Sequence, residues 1–436
     1  MSHTPHARHA APDPMATLRT PRFWLSPIVV ALVLFSALAA LYLGGILNPT
    51  TNLRHFPIAV VNSDTGPSGK QIVDGLVSGL NAEQFDVRVL SADEAATQMG
   101  TAQIYGQVQI PADFSAQLQE FGSAAMQPGQ PVRPVVTISV NPRAGELGAS
   151  IAGEALGRAI KEIDANVGKQ LSAQAARGSG SPLPGGVSLA LSSPIDITVN
   201  DYEPLPNGTG NGLSAFYYAL LLILAGFTGS ILVSSLVDSM LGFVPAELGP
   251  VYRFAEQIGI SRFRTLLVKW AFMVIIAVLT SAAYIGIASA LGMPIPNVLA
   301  LWLYGVFTIA AVGISSTSLI AALGSMGLLA NLFIFVILGL PSNGATIPLQ
   351  AAPPVFSWLA KFEPMHQIFL GTRSLLYFQG RADAGLSHSL VTTTVGLIIG
   401  LAIGAAVTRF YDRRGLRREH SAAPPAVHAP NSPNPN

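Results

Sequence analysis

The stretch Phe56–Leu76, FPIAVVNSDTGPSGKQIVDGL, holds an apolar strand, two glycines, a lysine and a helix-forming tail. Those are the parts of a phosphate-binding loop, in which backbone N–H groups surround a phosphate and a hydroxyl reaches Mg²⁺. Such a loop needs G-x-x-x-x-G-K-[ST]. Here Gly66 and Gly69 are three apart, and Gln71 follows Lys70 where Ser or Thr is required. No other part of the chain restores the pattern, so the residues read as a turn at Asn62-Ser63-Asp64 followed by a helix start. His3, His6 and His9 are evenly spaced, which suits metal, but a Pro- and Ala-rich tail supplies no preformed geometry. The chain has no cysteine, which excludes disulfides, thiolate chemistry and Cys-ligated metal. No Ser/His/Asp set, paired carboxylates or metal-ligand cluster stands out, so the expectation is a non-enzyme without cofactor. His366, with His55 and His388 the only histidines expected on the outer side, reads as a packing residue.

The elements around these residues belong to a membrane protein. Half the residues are hydrophobic, 11% are charged, and the mean hydropathy is +0.48; soluble domains carry about 25% charge. Six stretches approach the roughly 20 apolar residues that cross a bilayer: Trp24–Ile46, Ser214–Leu236, Trp270–Leu291, Ala300–Leu323, the shorter Ser325–Leu340, and Leu390–Thr408. None contains Asp, Glu, Lys, Arg or His, which argues against transport through buried carboxylates. Arg19 and Arg22 precede the first span, Arg253, Arg262, Arg264 and Lys269 lie between the second and third, and Arg409, Arg413, Arg414, Arg417 and Arg418 follow the last. The bias places both termini in the cytoplasm of a multi-pass cell-membrane protein, and residues 47–213 and 341–389 outside. Lys70 then faces the side without ATP. The run through Ile46 is longer than a signal-peptide core despite Ala37-Leu38-Ala39, so the first span reads as an uncleaved anchor.

The expected fold is therefore a polytopic α-helical membrane protein of six transmembrane helices, with an α/β extracytoplasmic domain between helices one and two. Its divisions are a disordered tail 1–22, an anchor 23–46, the outer domain 47–213, a membrane domain 214–410 and a second tail 411–436. The outer domain has nine Lys and Arg against fifteen Asp and Glu, which disfavours nucleic acid. Apolar runs predict strands at Ile58–Val61, Asp86–Leu90, Gly106–Ile110, Val135–Val140 and Ile195–Val199. Helices are expected at Gln71–Leu80, Ala92–Met99 and Ala112–Phe121, in βαβ alternation. A helix over Gly145–Ala176 would reach about 45 Å and either packs on its own sheet or forms a stalk. Residues 178–187 read as a linker, and Asn207-Gly208-Thr209 is a glycosylation sequon. In the spans, Gly396, Gly400 and Gly404, and likewise Ala282, Gly286 and Ala290, repeat at four and let helices approach closely. Ser315-Ser316-Thr317-Ser318 either lines a polar path or bonds to neighbouring turns.

FPIAVVNSDTGPSG resembles the start of the outer domain in YhgE/Pip-like (phage infection protein) membrane proteins, and GQVQIPADFSAQL, Gly106–Leu118, is similar to them as well. LPSNGATIPLQAAPPVFSWLAKFEPMHQIFLGTRSLLYF, Leu340–Phe378, resembles the extracellular re-entrant region of ABC-2-type permeases, with Asn343, Gly344, Pro348, Phe356, Pro364, Gly371 and Arg373 at its turn and helix positions. It departs from them in Ser-Asn-Gly for Ser-Gly-Gly and in Met365-His366-Gln367, where an aromatic is common. Fungal nitrosoguanidine-resistance membrane proteins share the plan. The resemblance, over about residues 20–410, implies a homodimeric permease half driven by a separate ATPase, since the chain has no Walker A sequence. Gly249–Trp270, with Arg253, Arg262 and Arg264, would be the ATPase-coupling segment, or else an ordinary interfacial segment. Two functions stand: export of a hydrophobic, amphipathic or cell-envelope molecule, or an envelope receptor or scaffold acting through the outer domain.

Overall fold

The computed structural model describes residues 19–127, 129–179, 183–253 and 255–416. The expectations for the histidine-bearing tail, for linker residues 180–182 and for Arg417 and Arg418 lie outside the described residues. Helix α1, Pro21–Ile46, leads to the α/β domain, termed the outer domain for its expected side. There β1 (Phe56–Asn62), α2 (Pro67–Gly79), β2 (Phe85–Leu90), α3 (Ala92–Met99), β3 (Gly106–Ile110), α4 (Phe114–Ala124) and β4 (Val135–Val140) alternate. Helices α5 (Glu146–Ser179) and α6 (Gly185–Ser192) and strand β5 (Asp196–Asp201) complete it. The sheet order is β2-β1-β3-β4-β5. β1 runs parallel to both neighbours, β3 and β4 are antiparallel, and β4 and β5 are parallel. β1 is buried from Phe56 to Val61 because it is an interior strand, flanked by β2 and β3 and covered by helices, which is why it reads as an unbroken apolar run.

The long helix packs on this sheet. Ile151, Ala152, Leu156, Ile160, Ile163 and Val167 of α5 share a core with Phe56, Ile58, Val60, Val108 and Ile138. From the middle of this helix Asp164 accepts hydrogen bonds from Ser193 Oγ (2.6 Å) and Ile195 N (2.8 Å), which ties the segment just before β5 to α5.

The membrane domain comprises α7 (Leu213–Met240), a hairpin of β6 (Ala246–Leu248) and β7 (Val251–Arg253), α8 (Arg262–Ala290), α9 (Val298–Leu323) and α10 (Ser325–Leu332). A π-helical turn, Phe333–Ile337, extends α10; α11 (Pro354–Leu359), α12 (Pro364–Tyr377) and α13 (Leu386–Arg413) follow. Among the described residues four helices, α7, α8, α9 and α13, are long and apolar enough to cross a membrane, and they mark the chain as a membrane protein. The apolar stretches Ala31–Ile46 and Ser325–Ile337 are shorter. α7 and α9 are the most enclosed, whereas α8 and α13 turn Phe272, Ile275, Leu279, Val391, Val395, Ile398 and Ile399 outward, as a lipid-facing surface requires. α1 stands beside the π-helical turn, where Tyr42 Oη donates to Val336 O at 3.2 Å.

The helices outrun the apolar stretches read from sequence. α7 continues past Leu236 to include Asp238, and α8 begins eight residues before Trp270 and includes Lys269. The short hairpin before α8 carries no periodic signal, because its strands are three residues each and β7 is exposed throughout.

Candidate functional site

At the loop that resembles a phosphate site, the anion is the chain's own. Asp64 Oδ2 accepts from Gly69 N (2.9 Å) and Ser115 Oγ (2.6 Å), and Oδ1 accepts from Ser115 N (3.3 Å). One buried carboxylate therefore serves the N-termini of both α2 and α4, where helix dipoles favour negative charge. Gly69 is required by this approach, since a Cβ there would lie 2.6 Å from Asp64 Oδ2. Lys70 points away and is exposed. Burial alone would raise the Asp64 pKa; the hydrogen bonds from Ser115 and from the Gly69, Ser115 and Gly66 amides outweigh it and hold the carboxyl below its ordinary value. A lowered folded-state pKa contributes stability that is complete above the unfolded value of 3.8 and is lost as pH falls through the folded one. Asp64→Ala is expected to remove about 2 kcal/mol locally. Hydrogen exchange at Gly69 should then rise about thirtyfold at neutral pH, and unchanged exchange would show the carboxylate to be dispensable.

A second group of polar residues lies where α7, α8 and α13 end together. Lys269 Nζ is 2.8 Å from Asp238 Oδ1, with both side chains largely buried. Asp412, near the end of α13, accepts from the Arg262 and Phe263 amides at 2.8 and 3.0 Å, so the N-terminus of α8 is capped by a residue 150 positions away. Ser261 Oγ accepts from Arg264 N at 3.2 Å. Arg262 Nε donates to Leu416 O at 2.6 Å, and its guanidinium lies over the Tyr411 ring. Arg409 sits over Phe263 with 4.2 Å to the ring centre. Ser261, Arg262, Arg264, Lys269 and Asp412 border a cleft of about 460 Å³ that also takes in Gln257, Thr265 and Thr408. Of the three arginines expected here, Arg262 is thus engaged within the chain, Arg264 borders the cleft with an exposed side chain, and Arg253 stands apart on exposed β7. Sequence reasoning counted Lys269 only toward orientation and missed Asp238 and Asp412; an acid and a base just beyond two apolar runs were the available signal.

Inside the bundle the hydroxyls of α9 are spent on helix contacts. Ser315 Oγ donates to Gly396 O of α13, Ser316 Oγ pairs with Ser230 Oγ of α7, and Asn331 Nδ2 donates to Ser316 O at 3.0 Å. Thr317 and Ser318 bond back to Ile314 O, and Ser318 Oγ accepts from Trp270 Nε1 at 3.2 Å. The glycine row divides. A Cβ on Gly400 would lie 2.7 Å from Ser315 Cα, and one on Gly404 2.6 Å from Ser318 Oγ, whereas nothing lies within 4 Å of one on Gly396.

The segment after the π-helical turn gathers the remaining expected residues. Asn343 Oδ1 accepts from the Ala345 and Thr346 amides, and Gly344 takes a φ of 71°, which closes the turn. His366 Nδ1 is 2.8 Å from Asn343 O. Burial lowers the His366 pKa to about 4, so the ring is neutral and donates to that carbonyl. Pro348 precedes a short 3₁₀ turn, and Pro364 opens α12. Glu363 accepts from Met365 N and His366 N at 2.9 and 3.0 Å, and burial pushes its carboxyl up to about 7 against those bonds. Gly371 admits Tyr304 of α9, whose Oη pairs with Ser389 Oγ of α13 at 2.7 Å. Arg373 Nη1 donates to Ala144 O of the outer domain at 3.0 Å. Arg143 reaches the other way, donating to Tyr377 O at 3.1 Å, and Arg54 N donates to Gln350 O at 2.8 Å. α12 and the segment before it thus carry the outer domain.

A bundle with four helices long and apolar enough to cross a membrane, carrying an α/β domain on α12 and the segment before it, defines a class of membrane protein with an inserted α/β domain. Within it, the family model described as "Protein of unknown function (DUF3533)" matches residues 27–398, and the chain belongs to that family. No curated protein and no solved structure matches the chain.

Proposed function

We propose that the chain is the permease-like half of an export system for a hydrophobic, amphipathic or cell-envelope molecule, of the YhgE/Pip and ABC-2 kind, with its ATPase on a separate chain. In this reading α1 and α10 complete six spans across the cell membrane, both termini are cytoplasmic, and two copies assemble. The observation that carries it is the knot at the inner ends of the spans. Asp412 on the α8 amides, Arg262 on Leu416 and Lys269 on Asp238 join the first two turns of α8 to α13 and α7. A push on that segment moves α7, α8 and α13 together, which is what coupling to a partner ATPase needs. The receptor or scaffold reading assigns the work to the outer domain instead.

The experiment replaces the exposed Arg264 by Glu and follows efflux of a panel of amphipathic compounds, with recovery of any co-purifying ATPase. Efflux several-fold below wild type at equal membrane level, with the ATPase lost, is the expected result. Unchanged efflux with no ATPase recovered from wild type, and loss of all phenotype when the outer domain is deleted, would replace export by the receptor reading. Ser78→Cys should react with an impermeant thiol reagent in intact cells and Arg414→Cys should not; the chain's lack of cysteine makes both labels specific.

A further inference from the structure

The junction between the outer domain and the membrane domain encloses a cleft of about 410 Å³, within the range that holds small ligands. Its walls come from three places: the first turn of α5 (Gly145, Glu146, Leu147), the start of α7 (Gly212, Leu213), and α12 with the turn before it (Thr346, Phe369, Arg373). Arg373 is the unusual member. Its side chain is buried, with 8% exposure for the residue, yet no carboxylate pairs with it among the described residues. Nη1 is used on Ala144 O, while Nε has no hydrogen-bond partner. The titratable groups that act on it are Tyr105 and His366, and neither supplies a negative charge near neutral pH. The Phe369 and Phe378 rings, 5.5 and 5.8 Å from the guanidinium carbon, hold it by cation–π contact without neutralising it.

A buried guanidinium without a counter-ion is costly, and the cost is relieved when an anion arrives with matching acceptors. Two long helices also begin at this cleft, α5 at Glu146 and α7 at Leu213, and their positive ends favour the same ligand. The α7 amides are already engaged at Ser214 and Ala215 by Thr209 O and Tyr377 Oη, so the dipole acts there through the field rather than by direct bonds. The cleft's acid, Glu146, is solvent-exposed. Leu147, Leu213, Ala345 and Phe369 supply apolar wall beside the charge.

We propose that this junction cleft binds the head group of an anionic amphiphile, a phosphate or carboxylate carried on an alkyl chain, with Arg373 as its cationic contact. The claim concerns binding and stands whether or not the chain exports anything.

The test titrates full-length protein, purified in a neutral maltoside detergent, with dodecyl phosphate, with inorganic phosphate and with dodecanol, and reads thermal unfolding and direct calorimetry. Dodecyl phosphate should bind saturably and stabilise the protein, dodecanol should not, and inorganic phosphate should bind at least about tenfold more weakly because it lacks the apolar contacts. Arg373→Gln should abolish the effect. Since Arg373 also holds Ala144, the exposed rim substitutions Thr346→Glu and Ser150→Glu provide variants that leave that bond intact, and each should weaken dodecyl phosphate about tenfold by placing a like charge beside the head group. Equal affinity for inorganic and dodecyl phosphate would overturn the amphiphile in favour of a free-anion site. Binding of dodecyl phosphate unchanged in both rim variants, or no tighter than dodecanol, would overturn the site.

Discussion

Lys269→Met is expected to lower the stability of the membrane domain by about 3–5 kcal/mol, the usual effect of leaving one member of a buried ion pair alone. The pair lies at 2.8 Å with side-chain exposures of 3% for Lys269 and 13% for Asp238. Lys269 is the eighth residue of α8, about 10 Å along the helix, and Asp238 is two residues short of the end of α7. Both side chains are largely buried, so the loss of the ammonium takes away the counter-charge of a carboxylate that water reaches poorly. Asp238→Leu should do the same to the lysine. The double variant Asp238→Leu with Lys269→Met should regain most of the loss, because no charge is then left buried. Unfolding in detergent, followed by heat, measures all three. Single variants within about 1 kcal/mol of wild type would place the pair with weak, solvent-screened surface pairs, and the inner knot would lose its central contact.

The distances in that knot explain what the sequence could and could not show. Strands β1 to β4 were legible because each is short and carries valine or isoleucine, in an unbroken apolar run in β1, buried on both faces, and in alternation with polar residues in β2 and β3. Asn343 and Gly344 were placed at a turn by the resemblance alone, and the structure supplies the local reason: an Asn carboxamide bonds amides two and three residues on. Asp64 was legible only as a turn former. Its second role depends on Ser115, 51 residues away, and no local spacing announces that partner. The same holds for Asp238 with Lys269 and for Asp412 with Arg262. A scan for apolar windows stops at the charged residues that pin the window ends, so the apolar stretches were found and the contacts that join them were not. Arg373 lay within a recognised pattern, but its lack of a counter-charge is a property of three converging segments.

The glycine row of α13 is where identical sequence signals separate most sharply. Gly396, Gly400 and Gly404 recur at four and would all be expected to pack. In the fold they face different things. The hydrogen of Gly400 meets α9, where even a methyl group would lie 2.7 Å from Ser315 Cα, a backbone atom that cannot yield alone. Gly400→Leu therefore requires α9 and α13 to separate, which also breaks the Ser315–Gly396 bond. The expected result is overpacking at or beyond the upper end of the ~1–3 kcal/mol range, seen as loss of folded protein after extraction. Gly404→Leu should follow it, with Leu266 Cδ2 3.0 Å from the added carbon as a second obstacle. Gly396→Leu meets open space and should leave the folded yield within about 0.5 kcal/mol of wild type. Folded yield and cross-linked dimer, measured on the same three variants, distinguish the two uses of the row. If Gly396→Leu abolishes a dimer while the monomer stays folded, this end of α13 faces a second copy. If all three variants fold as wild type, the close approach of α9 and α13 is wrong, and the enclosed position of α9 is wrong with it.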